Sequence, residues 1–227
     1  MTTQDCLESL PTADVDHRLP KGIHVTKADE KSDLGIERIP RREERLPWGY
    51  LFIHNMTVPA FERRMKEYNK NHPDSAHACF VHRTYTYNYK EKNERGGVKK
   101  EYKPTISGMV FLQGRTRDLQ KFLKLNYSTY HLVIDKCKGK PASIPDKIMQ
   151  PFMMVLKDNP ERVTFLSDPF EKFARNHVKL RVLTGIFAGC EGYIIRIDRD
   201  RQLVFDFGGY AVAIRGVHKE DFEEVKE

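Results

Sequence analysis

The stretch Val178-Lys-Leu-Arg-Val-Leu-Thr-Gly-Ile-Phe-Ala-Gly-Cys-Glu-Gly-Tyr-Ile-Ile-Arg-Ile197 restricts the fold of this chain more than any other part of it. A β-type run enters Thr184-Gly185, passes Phe187-Ala188-Gly189 and leaves through Glu191-Gly192 into a second β-type run. Glycines at 185, 189 and 192 let the backbone turn tightly at φ values that other residues avoid. The apolar residues on either side then supply one wall of a small all-β unit. Strands are expected at 178–183, 191–197, 202–207 and 210–215, with a final turn from His218 to Phe222. So many short strands in so few residues predict a closed barrel, because closure hides strand edges.

The rest of the chain divides by charge. Lys and Arg outnumber Asp and Glu by 22 to 13 over residues 47–173, while the balance is 8 to 10 over 1–46 and 9 to 9 over 174–227. The positive excess therefore sits in the middle segment, which predicts that this segment, and not the neutral barrel, meets an anionic partner such as nucleic acid. Residues 1–46 carry Pro11, Pro20 and Pro40 amid mixed charge and show no sustained apolar period. They are read as a disordered charged extension.

Order is expected from Pro47. Trp48 to His54 is aromatic and β-branched, a buried strand. Thr57 is placed as an N-cap, and Phe61, Met65 and Tyr68 recur on one face of a helix ending near Asn69. Alternation returns from Ala78 to Tyr89, with Tyr85, Tyr87 and Tyr89 on one face. Lys90 to Lys103, around Gly96-Gly97, reads as a hairpin tip or loop, and Pro104 to Leu112 as the next strand. Thr116 caps a second helix with Leu119, Phe122 and Leu123 inward. His131 to Ile134 is extended. A third helix opens at Ile144-Pro145-Asp146, with Pro151 expected to bend or split it. Arg162 to Leu166 forms a last strand or extended exit. The fold class is α+β: an antiparallel sheet with helices over 47–168, a linker at 169–176, and a small all-β SH3-like barrel over 177–227.

The glycine-punctuated segment resembles a KOW motif, found in ribosomal proteins and in NusG-type transcription factors. Trp48-Gly-Tyr-Leu51, Ile106-Ser-Gly-Met-Val-Phe-Leu112 and Gly139-Lys-Pro-Ala-Ser-Ile-Pro-Asp-Lys-Ile148 precede it in the order seen in the second group. From Trp48 to Val225 the chain is similar to NusG-type elongation factors, which carry an NGN domain followed by a KOW domain. Specialised members such as RfaH-like antiterminators and UpxY regulators are similar in layout. The resemblance implies binding to the clamp of RNA polymerase through an apolar pocket, with Tyr50, Ile106, Met109 and Phe111 at the matching positions. Ser107 departs from the usual proline there and Met109 from the common aromatic. The resemblance also implies proximity to upstream DNA and the non-template strand. Arg63, Arg64, Lys90, Lys92, Lys99 and Lys100 are candidates for phosphate contacts. Through the KOW domain it implies a ribosomal protein or the termination factor Rho, with Phe187 and Gly189 as candidate contacts.

An operon-specific antiterminator acting as a monomer in the cytoplasm is thus expected, with no cofactor and no enzymatic activity. The alternative is a KOW-containing RNA- or ribosome-binding protein, which predicts a basic barrel. Four scattered cysteines without a CxxC pair fit a reducing compartment. No apolar run is long enough to cross a membrane, and the N-terminus lacks the basic start and apolar core of a secretory signal. His77, Cys79 and His82 lie close in sequence, but no further ligand stands at a metal-binding spacing.

Overall fold

The computed structural model describes residues 23–26, 45–89, 98–105, 107–135, 138–166, 168, 170–174, 177–197 and 199–225. The architecture is mixed α+β, and the chain separates into two compact units. One holds the described residues of 39–134 and 141–163; the other holds those up to 38, those of 135–140, and those from 164 onward.

In the first unit, β2 (Trp48–Phe52), β3 (Cys79–Val81) and β6 (Met109–Gln113) form an antiparallel sheet in the order β2-β6-β3. Period-two alternation gives this sheet two apolar faces. Leu51, Val81, Val110 and Leu112 join Phe61 and Met65 of α1 (Val58–Asn71) and Leu119, Phe122 and Leu123 of α2 (Thr116–Asn126) in one buried cluster. Both helices thus lie on the same side of the sheet. On the other side lie Trp48, Tyr50 and Phe111, together with α3 (Asp146–Asp158).

Helix α3 is fixed at its start by one carboxylate. Asp146 Oδ1 accepts hydrogen bonds from Trp48 Nε1 at 2.8 Å, Gln150 Nε2 at 2.9 Å and Gln113 Nε2 at 3.2 Å. The backbones of Trp48 and Ile144 exchange two further bonds of 2.8 Å. Of the two expected effects of Pro151, splitting does not occur: the helix runs on to Asp158. Its missing N–H would have paired with the carbonyl of the exposed residue Lys147, where water can serve instead.

Two strand boundaries differ from the sequence reading. β4 (Arg83–Tyr89) pairs with β5 (Val98–Pro104), so the expected hairpin tip or loop is strand from Val98 onward. The chain then breaks at Gly108, which has φ +56° and whose backbone lies against the carbonyl of Ile53; β6 therefore begins only at Met109. Neither expected N-cap forms a capping hydrogen bond: Thr57 Oγ1 donates back to the His54 carbonyl, and Arg115 occupies the cap position before Thr116.

In the second unit a sheet runs through β10 (Lys179–Val182), β11 (Glu191–Ile197), β12 (Asp200–Asp206) and β13 (Ala211–Ile214) as an antiparallel meander. Three strands extend it beyond expectation. The predicted final turn ends in β14 (Asp221–Glu224), which pairs with β10. β9 (Val163–Phe165) closes the row beyond β13, and Leu166 N–H donates to the Ala211 carbonyl at 2.9 Å. β1 (His24–Thr26), inside the segment expected to lack structure, pairs in parallel with β14. The order β1-β14-β10-β11-β12-β13-β9 is an open row of seven strands, with a three-residue strand at each end. Short edge strands are another way to blunt a sheet edge when hydrogen bonding does not close a barrel. The short hairpin β7 (Ile134–Asp135) and β8 (Lys140–Pro141) adds Asp135 to this unit. Lys138 Nζ lies 3.1 Å from its carboxylate and 3.3 Å from that of Asp206. Helix α4 (Phe170–Ala174) covers the sheet, with Phe170 5.1 Å from Tyr193.

The glycine segment adopts the predicted tight path. Gly185 and Gly189 have φ of +78° and +84°. Gly192 is required for closeness: a Cβ there would run into the Val204 carbonyl across the β11–β12 ladder.

Candidate functional site

The apolar set nominated from sequence is brought together, but as core. Tyr50 and Phe111 are direct cross-strand partners with rings 5.8 Å apart, and Phe52 pairs with Met109. Phe152 of α3 packs edge-on against Phe111 at 6.0 Å. Tyr50 is 1% exposed and Phe111 0%, so neither ring offers a surface to a partner. Ile106 lies outside the described residues. The accessible member of this face is Phe52, 40% exposed and 6.1 Å edge-to-face from Tyr50. Sequence reasoning passed over it, although the alternation Trp48, Tyr50, Phe52 puts it on the same face.

The basic set is scattered. Arg63 and Arg64 are exposed on the outer side of α1. Lys90 and Lys92 lie outside the described residues. Lys99 and Lys100 are on opposite faces of the β4–β5 hairpin, and each has a partner within the protein. Lys99 Nζ is 2.7 Å from Glu101, which Lys103 also binds; hydrogen bonds from these two lysines hold the Glu101 carboxyl down to about 2. Lys100 Nζ lies 3.8 Å from the centre of the Tyr85 ring and 4.0 Å from Glu161.

The tyrosine face of the hairpin is engaged in the same way. Tyr85 and Tyr102 pair across the strands at 5.2 Å, Tyr87 Oη donates to Glu161 at 2.5 Å, and Tyr102 Oη donates to the Leu156 carbonyl at 3.4 Å. Cross-strand packing is the use the geometry gives Tyr85 and Tyr102.

A larger basic surface emerges from the helices. Arg63, Arg64, Lys66 and Lys70 of α1 and Arg117, Lys121 and Lys124 of α2 are all exposed, against Glu67 and Asp118 of the same two outer faces. Because both helices cover the same face of the sheet, these residues belong to one side of the unit. The helical period of 3.6, applied to polar positions, was the signal that would have grouped them.

In the glycine-punctuated loop, Phe187 is 2% exposed and packs 6.1 Å from Phe205, so it closes the core instead of reaching outward. Gly189 donates its N–H to the Val182 carbonyl at 2.7 Å and sets the turn. The exposed large apolar side chain of this loop is its neighbour Ile186.

His77, Cys79 and His82 are not assembled into a site. Cys79 packs on the helix-covered face, where burial, reinforced by Glu62, pushes its thiol up to about 12. His82 lies 6.4 Å from Phe152 on the other side of the sheet, and burial lowers its imidazole to about 4. His77 Nδ1 is 3.1 Å from the Gln113 carbonyl. Among the described residues, no group of three or more His, Cys, Asp or Glu side chains is placed to hold a metal ion, and no helix is long and apolar enough to cross a membrane.

No protein-family profile and no curated protein matches the chain.

Proposed function

We propose that this protein is a NusG-like factor that binds elongating RNA polymerase and modulates pausing and termination as an operon-specific antiterminator. The observation that carries this reading is the glycine segment. Two of its glycines take positive φ and the third abuts the opposing strand, a tight path that supports the KOW resemblance. The α+β unit ahead of it supports the reading with a Trp-led strand, two helices on one side and a third on the other. In this account the first unit is the NGN-like domain and the second the KOW domain.

No covalent chemistry is needed. A factor that binds the closed, elongating polymerase more tightly than the paused form shifts the population towards elongation. Phe52, beside the buried Tyr50 and Phe111, is the apolar anchor available to the polymerase clamp. The outer faces of α1 and α2 supply the charge for upstream DNA. Retention of purified multisubunit RNA polymerase by the immobilised full-length protein tests the first point. Binding is expected for the natural sequence and at least tenfold weaker binding for Phe52→Ser, a change at an exposed edge that spares the core. Equal retention by both proteins removes Phe52 from the interface, and no retention by either removes the polymerase. In vitro elongation on the cognate operon tests the outcome: unchanged pausing and termination would sink the antiterminator reading.

A further inference from the structure

Strand β14 is anchored without β1. Its neighbour β10 pairs with it at Leu180↔Glu224, Arg181↔Glu223 and Val182↔Phe222, and Phe222 is fully buried. Leu183 N–H donates to the Asp221 carbonyl at 2.8 Å and Val225 N–H to the Lys179 carbonyl at 3.0 Å. Alternation therefore turns the backbone groups of Phe222 and Glu224 the other way, towards β1. β1 is the weaker element. It is three residues long, it ends the row with β14 as its neighbour, and Val25 is only half-buried. Its pairing is parallel, which is slightly less stable per residue than antiparallel. Edge elements with few buried contacts open locally at a small part of the global unfolding free energy. Opening of β1 uncovers a preformed edge whose N–H and C=O groups are a template for an added strand.

The register defines what fits that edge. β1 sets His24 opposite Asp221, Val25 opposite Phe222 and Thr26 opposite Glu223. Four of the five residues 220–224 are acidic, and Glu223 is matched from within the sheet by Arg181 Nη1 at 3.0 Å. Like charges directly opposite one another destabilise a ladder. The edge therefore selects a strand with an apolar residue facing Phe222 and cationic or neutral residues facing Asp221 and Glu223. The chain's own segment meets the apolar demand with Val25 but sets only His24 and Thr26 beside the acids. A strand with Lys or Arg at those two positions gains fuller opposite-charge pairs than β1 makes.

We propose that the outer edge of β14 is a strand-docking site for an extended segment of a partner protein, an apolar residue between cationic ones. The chain's own His24–Thr26 covers this edge until the partner displaces it. Main-chain hydrogen bonds to Phe222 and Glu224 supply the affinity, and alternate side chains supply the selectivity. A partner strand can run antiparallel, the stronger pairing, which gives it the means to displace β1. Nucleic acid is disfavoured, because its phosphates would meet the acids of β14. The surface is distinct from the glycine loop of Phe187 and Gly189, and it does not depend on polymerase binding.

The test is the fluorescence anisotropy of a labelled heptapeptide of alternating Lys and Val. It is titrated with the full-length protein and with Val25→Asp, which breaks β1 at a half-buried edge position. The variant is expected to bind the peptide about tenfold tighter than the natural protein. That is the factor by which an edge covered about nine-tenths of the time lowers apparent affinity. The same peptide with Glu in place of Lys is expected to bind neither protein. Equal affinity of the two proteins for the Lys peptide overturns the proposal, as does equal affinity of the variant for the two peptides, or no binding at all. Hydrogen exchange of the natural protein decides the matter independently of variant folding. With saturating Lys peptide, amides of residues 23–26 are expected to lose protection while those of 221–225 keep it. Protection retained at 23–26, or lost at both segments, would also overturn it.

Discussion

Burial governs the chemistry of Cys79 and His82. The Cys79 thiol, pushed up to about 12, stays protonated at neutral pH and is a poor nucleophile. Thiol-specific reagents should label it only at the rate at which the sheet opens, which labelling with and without urea would reveal. His82 carries a pH-dependent stability. Its folded value of about 4 lies below the ordinary 6.5, so the unfolded chain takes up a proton more readily. The stabilising effect of the neutral imidazole is complete above pH 6.5 and is lost as pH falls towards 4. The full difference is worth about 3 kcal/mol. Urea denaturation at pH 7 and pH 4.5 should show a smaller acid penalty for His82→Gln than for the natural protein. Parallel pH profiles for the two would mean that other groups carry the acid sensitivity. Neither shift was legible in the sequence, because His82 and Cys79 differ from exposed counterparts only in what packs over them.

At the scale of elements, the glycine segment shows what spacing can and cannot reveal. Its strands and tight turn were legible because the three glycines and the β-branched runs admit few other paths. The separate roles of the glycines were not, since these depend on the facing strand. Gly189 has φ +84° but open space around it, whereas Gly192 lies against the Val204 carbonyl. Alanine at 189 should therefore cost only the left-handed penalty, about 1–2 kcal/mol. Alanine at 192 forces β11 and β12 apart, and overpacking of this kind costs about 1–3 kcal/mol and disturbs the ladder itself. Hydrogen exchange should show lost amide protection along Glu191–Asp206 for Gly192→Ala, with protection there largely kept for Gly189→Ala. The reverse order would contradict the close-approach account. Strands β1 and β14 escaped sequence reading for a related reason: each is three or four residues long and is defined by its partner, not by a pattern of its own.

Across the whole molecule, the proposed contact with nucleic acid turns on where the charge lies. The sequence places the positive excess in the middle segment, and of the cations nominated from it Arg63 and Arg64 are exposed on α1. Lys99 and Lys100 are occupied by Glu101, Glu161 and Tyr85, whereas seven cations on the outer faces of α1 and α2 stand in solvent. Choosing among lysines requires knowing which have partners, and those partners come from distant parts of the chain, as Glu161 does for Lys100. If the helical face follows duplex DNA, each phosphate contact contributes about 0.9 to the log–log salt slope. Replacing Arg63, Arg64, Lys66 and Lys70 by glutamine should then lower the slope for duplex DNA by about 3 to 4, as read by fluorescence anisotropy of the full-length protein. Lys99→Gln should change it little, because its charge is already balanced by Glu101. Were the helical variant to keep the natural slope, nucleic-acid binding would not belong to these helices. The excess charge of the middle segment would then serve solubility alone.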